Sequence, residues 1–206
     1  MPEGTGRQRA ATSATDPQRE RILAAASELF GRQGYAGTTM ARIVDALGVS
    51  KPFVYYYFRD KQEIFETLSW RPVVECFTVL DHAADDQRQR AVDRVTDGLE
   101  RLIRATVLHY PSSFFAYREP QVYRPEFMAA LKRLSNHFYD RLCPLLEQAR
   151  SDGDLDFADT KITALAACSL PGFLYTWYRP DGRLPPEALV AELAMLANRV
   201  LGLRRR

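Results

Sequence analysis

Apolar residues recur every three or four positions along almost all of the chain beyond residue 15. This is the spacing at which side chains line one face of an α-helix, and no segment shows the alternation of a half-buried strand. Short helical segments come first, and longer amphipathic segments follow. The pattern therefore predicts an all-α fold of about nine helices.

Local signals divide the first third of the chain into short helices. Asp16 can cap the first helix, with Pro17 at its first position, and Gly34 is expected to end it. Thr39 is placed to cap a second helix, and Gly48 makes the turn that follows. These signals predict two helices before residue 50.

A third and a fourth helix follow at once. Ser50 is expected to cap the third, in which Pro52 is tolerated because first-turn N–H groups lack helical partners. Asp60 and Glu63 have the spacing of a capping box at the start of the fourth, which Pro72 should kink or end. The first three helices, with the glycine turn between the second and the third, form the helix-turn-helix plan.

Helices this short are not stable in isolation, so the first three need a common core. The sequence offers eight apolar residues for it: Ile22, Leu29, Phe30, Ile43, Leu47, Val49, Val54 and Phe58. The third helix also carries three consecutive tyrosines, at positions 55–57. Because successive helical residues point about 100° apart, at least one phenol should face solvent or a partner. The alternative is that these tyrosines are core aromatics of a helical bundle.

Three segments with fixed spacing carry a family resemblance. Residues 38–44 (TTMARIV), 48–51 (GVSK) and 55–61 (YYYFRDK) resemble the DNA-binding signature of the TetR/AcrR family of transcriptional regulators. The resemblance covers roughly residues 17–65. It implies a tail at residues 1–15, a helix-turn-helix DNA-binding domain at 16–62 and a larger helical ligand-binding and dimerisation domain at 63–206.

The resemblance implies DNA contacts at eleven positions: Thr38, Thr39, Arg42, Ser50, Lys51, Pro52, Phe53, Tyr55, Tyr56, Tyr57 and Lys61. One set would hold phosphates and fix the register on the duplex: Thr39, Tyr55, Tyr57 and Lys61. A second set would meet base edges from the start of the recognition helix: Lys51, Pro52 and Phe53. Tyr56 would lie between groove and backbone.

Three residues depart from the family pattern. Pro52 stands where glycine or alanine is common, and Phe53 where threonine or serine is common. Phe53 cannot hydrogen-bond a base but can pack on a thymine methyl group. Arg42 replaces a frequent acidic residue, which removes a capping box and adds a candidate phosphate contact. The operator sequence is therefore not predicted.

The second domain has no comparably sharp motif. The family implies dimerisation through the last two helices, predicted at 158–178 and 186–203, and the candidate interface residues are Leu165, Leu174, Leu189, Leu193, Leu196 and Val200. The alternative is that these helices complete the core of the monomer.

Aromatic and polar residues near a proline bend are the candidate ligand site: His109, Tyr110, Phe114, Tyr117, Arg118, Tyr123 and Phe127, with Phe173 and Trp177 from the penultimate helix. Arg118 would suit an anionic group on an apolar ligand. The alternative is ordinary core for the aromatics and a solvated face for Arg118. Residues 177–182 (WYRPDG) are similar to those of relatives that respond to acyl-CoA or lipid-derived effectors.

Composition excludes several classes of protein. With 46% hydrophobic and 26% charged residues, the chain has the balance of a globular protein, and no apolar run is long enough to span a membrane. The polar N-terminus lacks the apolar segment of a signal peptide, and three separated cysteines suit reduced thiols in a cytoplasmic protein. The histidines lack metal-ligand spacing and no catalytic motif occurs, so we expect no metal, no cofactor and no enzyme.

Charge is unevenly distributed. The net charge is only +2, but nine basic and six acidic residues precede residue 62. A basic excess in the first third is what a phosphate-facing domain requires, although +3 is weak support. Arg7 and Arg9 fit either a minor-groove arm or a disordered tail.

Taken with these features, the family resemblance implies a homodimeric regulator, most simply a repressor, of a pseudo-palindromic double-stranded DNA operator, released by a small hydrophobic or amphipathic effector. Two alternatives stay open: a DNA-binding regulator without an effector, and a helical enzyme or carrier with a vestigial helix-turn-helix. The sequence does not identify the effector or the regulated genes.

Overall fold

The structure, a computed structural model, describes residues 16–81 and 89–204. The tail with Arg7 and Arg9 lies outside the described residues. Within the described ranges the chain is helical and has no strand, as the hydrophobic pattern predicts. No helix in these ranges combines the length and hydropathy needed to cross a lipid bilayer.

The first helices are α1 (Pro17–Gly37), α2 (Met40–Leu47) and α3 (Lys51–Tyr57), followed by α4 (Lys61–Phe77). Asp16 caps α1 by accepting from the Gln18 N–H at 2.8 Å, and Thr39 caps α2 by accepting from the Arg42 N–H at 3.2 Å. Gly34 interrupts α1 with a φ of 72°, so the regular helix ends where the sequence predicts. Local capping chemistry thus defines both helices.

The starts of α3 and α4 differ from each other. Ser50 occupies the N-cap position of α3, as the sequence predicts, but its side chain makes no capping hydrogen bond. At α4 the Asp60 carboxylate accepts from the Glu63 N–H at 2.7 Å, and the Glu63 carboxylate accepts from the Arg59 N–H at 2.7 Å. This is the predicted reciprocal pairing, shifted by one residue at its return bond. Helix α4 continues through Pro72 to Phe77.

A compact core joins the short helices. Ile22, Phe30, Ile43, Val54 and Phe58 are all buried, as the sequence predicts. The Phe30 and Phe65 rings pack edge to face with their centroids 4.9 Å apart. Burial of these side chains supplies the stability that helices of seven and eight residues lack on their own.

The remaining helices are α5 (Ala91–Leu108), α6 (Phe115–Arg118), α7 (Pro125–Ser151), α8 (Thr160–Ser169), α9 (Leu174–Trp177) and α10 (Pro186–Val200). A 3-10 turn at Leu170–Phe173 joins α8 to α9, so the single helix predicted at 158–178 is interrupted around Pro171. Counted as one broken helix, this pair brings the described total to the nine predicted. Long apolar stripes on α5, α7, α8 and α10 meet in one core cluster.

The described chain divides into two compact units, Met1–Leu68 and Ser69–Arg206. The division falls inside α4, whereas the sequence places the boundary near the start of that helix. The first unit contains the helix-turn-helix, and the second contains the larger core.

The end of α10 is pinned within the second unit. The Asp156 N–H donates to the Gly202 carbonyl at 3.1 Å, and the Arg204 N–H donates to the Asp154 carbonyl at 2.9 Å. Gly202 has a φ of +64°, and a Cβ there would lie 1.9 Å from the Asp156 carbonyl oxygen. Only glycine fits this close approach of two backbones.

We expect Gly202→Ala to lower the free energy of unfolding by about 3 kcal/mol, because positive φ and the backbone clash act together. Gly153→Ala is a matched control, since Gly153 has a φ of +79° but nothing within 4 Å of an added Cβ. The control should cost about 1 kcal/mol from φ alone. Urea unfolding of both variants measures the difference, and equal losses would contradict the close approach.

Candidate nucleic-acid interface and ligand cavity

Helix α3 exposes one face to solvent. Val54 is fully buried, while Lys51, Pro52 and Tyr55 are exposed and Tyr56 is 61% exposed. The Lys51 ammonium lies 5.7 Å from the centroid of the Tyr55 ring. The face therefore presents a cation and two phenols, which is the chemistry that binds phosphate and base edges.

The other two aromatic residues of α3 are half-buried. Phe53 packs edge to face on Tyr57 with ring centroids 5.4 Å apart. Desolvation and the neighbouring Asp16 carboxylate, to which the phenol donates a hydrogen bond, raise the pKa of Tyr57 above its usual value. Phe53 is thus less accessible than Lys51 and Pro52.

Lys61 is engaged inside the first unit. Its ammonium donates to the carbonyls of Tyr35 at 2.7 Å and Thr38 at 2.8 Å, and it lies 3.9 Å from the centre of the Tyr35 ring. In this structure the side chain holds the turn between α1 and α2. Its phosphate contact stays a prediction.

Thr38 corrects one expectation. Its side chain is fully buried and its hydroxyl donates to the Gly34 carbonyl at 2.9 Å, so it cannot reach a partner at the surface. Thr39 and Ser50 are exposed. Arg42 is exposed too, and its guanidinium donates to the Gln33 side chain and the Gly37 carbonyl. Of these four expected DNA contacts, Thr39, Arg42 and Ser50 therefore lie at the surface, whereas Thr38 does not.

The second unit contains a cavity of about 420 Å³ lined by residues of α4 to α8 and the 3-10 turn after α8. Of the predicted ligand residues, Phe114 and Tyr117 line it. The other seven predicted residues do not line this cavity, so the structure does not bring all nine together around it.

The remaining predicted ligand residues have other environments. His109 Nε2 lies 2.5 Å from a Glu75 carboxylate oxygen, and Tyr110 packs edge to face on Tyr178. The rings of Tyr123 and Phe127 stack at 4.4 Å, and the Tyr123 hydroxyl lies 2.5 Å from the Ser69 hydroxyl. Three others are exposed outside this cavity: Arg118, Phe173 and Trp177.

Two cysteines that the sequence did not assign to the site line the cavity. The Cys76 sulfur lies 3.5 Å from the Thr106 hydroxyl, and Cys168 interacts with the Tyr139 phenol. Burial raises the pKa of Cys76 to about 11 and that of Cys168 to about 12. Both sulfurs are therefore neutral thiols at neutral pH.

These thiols should react slowly with alkylating reagents. Because only the thiolate attacks, Cys76 at pH 8 should react with iodoacetamide about a hundredfold more slowly than an ordinary thiol, and its rate should rise about tenfold per pH unit. Peptide mapping by mass spectrometry measures the rates, with the urea-unfolded chain as the reference. Equal rates in the folded and unfolded chain would contradict the burial of these thiols.

Helices α8 and α10 pack against each other and leave apolar side chains on their outer surfaces. Ile162 is 68% exposed and Leu165 is 47% exposed, and Leu196 and Val200 are exposed on α10. In contrast, three residues predicted for the dimer interface are buried in the core of their own chain: Leu174, Leu189 and Leu193. For these three, the alternative interpretation as monomer core is correct.

An all-α chain with a helix-turn-helix in its first unit has the fold and the site of a DNA-binding transcriptional regulator. Residues 22–68 match the model of bacterial regulatory proteins of the tetR family, and residues 88–201 match a tetracyclin repressor-like C-terminal domain. The second match covers more than half of the chain. The protein belongs to the TetR family of transcriptional regulators.

Individual relatives agree with this assignment. The chain is 34% identical to the transcriptional activator FasR of Mycolicibacterium smegmatis over 52% of this chain and 51% of FasR. It spans about half or less of the curated relatives matched first. Among solved structures, PfmR of Thermus thermophilus superposes with a TM-score of 0.76 at 23% identity, covering 90% of this chain and 100% of PfmR.

A second solved structure is that of AibR in complex with isovaleryl coenzyme A and operator DNA. It superposes with a TM-score of 0.69 at 20% identity and covers 91% of this chain and 100% of AibR. At these identities the structural matches establish the fold.

Proposed function

We propose that this protein is a ligand-responsive repressor that binds a pseudo-palindromic operator as a homodimer. The observation that carries the proposal is the exposed face of α3, on which Lys51, Pro52, Tyr55 and Tyr56 are all accessible. A folded domain gains no stability from exposing two adjacent tyrosines, whereas a DNA-binding helix uses them against the backbone.

Each recognition helix enters a major groove of the operator. Lys51 and Pro52 meet base edges at the start of α3, with the half-buried Phe53 behind them, while Tyr55 and Tyr57 donate to phosphates. Thr39 adds a phosphate contact at the start of α2. The half-site centres lie one helical turn, about 34–36 Å, or a multiple of it apart.

The dimer forms through the outer faces of α8 and α10. The exposed residues Leu165, Leu196 and Val200 supply an apolar patch there, with Ile162 beside them. Four such helices, two from each protomer, make an isologous interface that matches the two-fold symmetry of the operator.

A small effector fills the cavity of the second unit. The cavity of about 420 Å³ favours this interpretation over a regulator without an effector. AibR, whose fold is similar, was solved with isovaleryl coenzyme A and operator DNA, which supports a lipid-derived ligand with an acyl chain.

Helix α4 couples effector binding in the second unit to operator binding by the first. Four of its residues line the cavity: Pro72, Val73, Cys76 and Phe77. Its first residue, Lys61, holds the turn before α2. In this proposal α4 has two positions, one that permits operator binding and one that is displaced. A ligand that binds the displaced state more tightly lowers operator affinity, and the limit of this effect is the ratio of the ligand's affinities for the two states.

Selection of genomic DNA fragments with the purified full chain tests the proposal. We expect one enriched motif with two inverted half-sites, and a reporter under that operator should be repressed by the protein. Activation of the reporter would reverse the proposed sign, as the name of FasR illustrates. Enrichment of no motif would refute operator binding and favour a helical carrier.

A further inference from the structure

Some polar groups around the cavity are hydrogen-bonded within the protein, and others are not. The Thr106 hydroxyl donates to the Leu102 carbonyl at 2.8 Å, and the Ser113 hydroxyl donates to the Thr106 carbonyl at 2.8 Å. The Tyr139 phenol is engaged with Cys168. These groups are satisfied internally and do not need a ligand.

Lys132 and Ser135 also line the cavity, but their side chains are not engaged in such internal hydrogen bonds. Among the described residues, neither side chain has a hydrogen bond or an ion pair. The two residues are three positions apart on α7, so they lie on the same helix face. An ammonium and a hydroxyl are therefore presented together at the cavity.

The charge of the cavity has one sign. Lys132 is the only charged residue in its described lining, which contains no aspartate or glutamate. The rest of the lining is largely apolar, and its large apolar side chains include Phe77, Leu102, Phe114, Met128 and Leu131. A cationic ligand would be repelled, and a ligand with several charges would leave most of them unpaired against apolar walls.

We propose that the ligand is a monoanionic amphipath, with an aliphatic or aromatic body inside the cavity and one anionic group, such as a carboxylate, bound by Lys132 and Ser135. Lys132 is exposed, which places this group at the open, solvent-facing end of the cavity. At about 420 Å³ the cavity is near the lower end of ligand sites, roughly 300–1,000 Å³, and does not hold the coenzyme A portion of a thioester. Lys132 thereby takes the role that the sequence suggested for Arg118.

The test is direct binding to the full chain by calorimetry, without DNA. The probes are straight-chain carboxylates from hexanoate to tetradecanoate and, at the optimal length, the matching alcohol, amine and coenzyme A thioester. We expect the carboxylate to bind most tightly. Lys132→Ala should weaken carboxylate binding about two- to fivefold, because an exposed ion pair contributes modestly, and should leave alcohol binding unchanged.

Two further variants make the result decisive. Arg133→Ala removes a charge from the adjacent position of α7, which does not line the cavity, and should change nothing. Lys132→Arg should restore most of the carboxylate affinity. Preference for the alcohol, the amine or the coenzyme A thioester, or equal losses in Lys132→Ala and Arg133→Ala, would overturn the proposal.

The inference rests on the proposed function only in calling the ligand an effector. If the carboxylate binds through Lys132 but operator affinity does not change, the ligand assignment stands and the proposed coupling fails. If selected DNA binds but every probe carboxylate fails to bind, the operator proposal stands and this inference fails.

Discussion

Replacing both Lys51 and Tyr56 by alanine should lower operator affinity by about a hundredfold or more, because a side-chain contact at a base edge or phosphate contributes roughly 1–3 kcal/mol. Both residues are exposed on α3. Their removal therefore leaves the core and the thermal unfolding midpoint unchanged. Gel shift or fluorescence anisotropy with the selected operator, at fixed salt, measures the loss.

Arg32→Ala is the matched control for charge. Arg32 is exposed on α1, where it pairs with Glu28 at 3.0 Å, and no DNA contact is expected there. This variant should bind the operator within about twofold of the unchanged protein. Operator affinity that survives in the Lys51 and Tyr56 double variant would show that α3 is not the recognition helix.

The second large effect concerns the outer face of α8 and α10. Leu165→Glu combined with Val200→Glu should convert the proposed dimer to monomers, because an unpaired charge buried at an apolar interface costs about 3–5 kcal/mol. Sedimentation or light scattering measures the mass. Operator affinity should fall with it, since a monomer engages only one half-site.

Leu108→Glu provides the comparison for this variant. Leu108 is 58% exposed at the end of α5, outside the outer face of α8 and α10. It should leave both mass and operator binding unchanged. A double variant on α8 and α10 that keeps the mass of the starting protein would place any dimer interface elsewhere.

Features with local causes were predictable from the sequence. The caps at Asp16 and Thr39 and the glycine ending at Gly34 follow from backbone chemistry within four residues. The exposure of Tyr56 follows from the length of α3. By contrast, the inward turn of Lys61 depends on carbonyls of residues 35 and 38, which lie more than twenty positions away in sequence. Local pattern carries no information about such partners.

The dimer face and the cavity show a second limit. Helix α10 is apolar on adjoining faces, and the sequence cannot distinguish Leu193, which enters the core, from Leu196, which stays exposed. Core and interface use the same residue types, so only packing separates them. The cavity is lined from several helices, so no local stretch of sequence marks Lys132 as part of it.

The way the first unit uses its cations affects its response to ionic strength. Arg19 lies over the Phe58 ring, Arg21 donates to the Leu47 carbonyl and Lys61 donates to Tyr35 and Thr38. Cations already engaged in this way displace few ions from the atmosphere around DNA. Hydroxyl and phenol contacts displace none. A plot of the logarithm of operator affinity against the logarithm of salt concentration should therefore have a shallow slope. The slope should be smaller than the one expected if every basic residue of this domain contacted a phosphate.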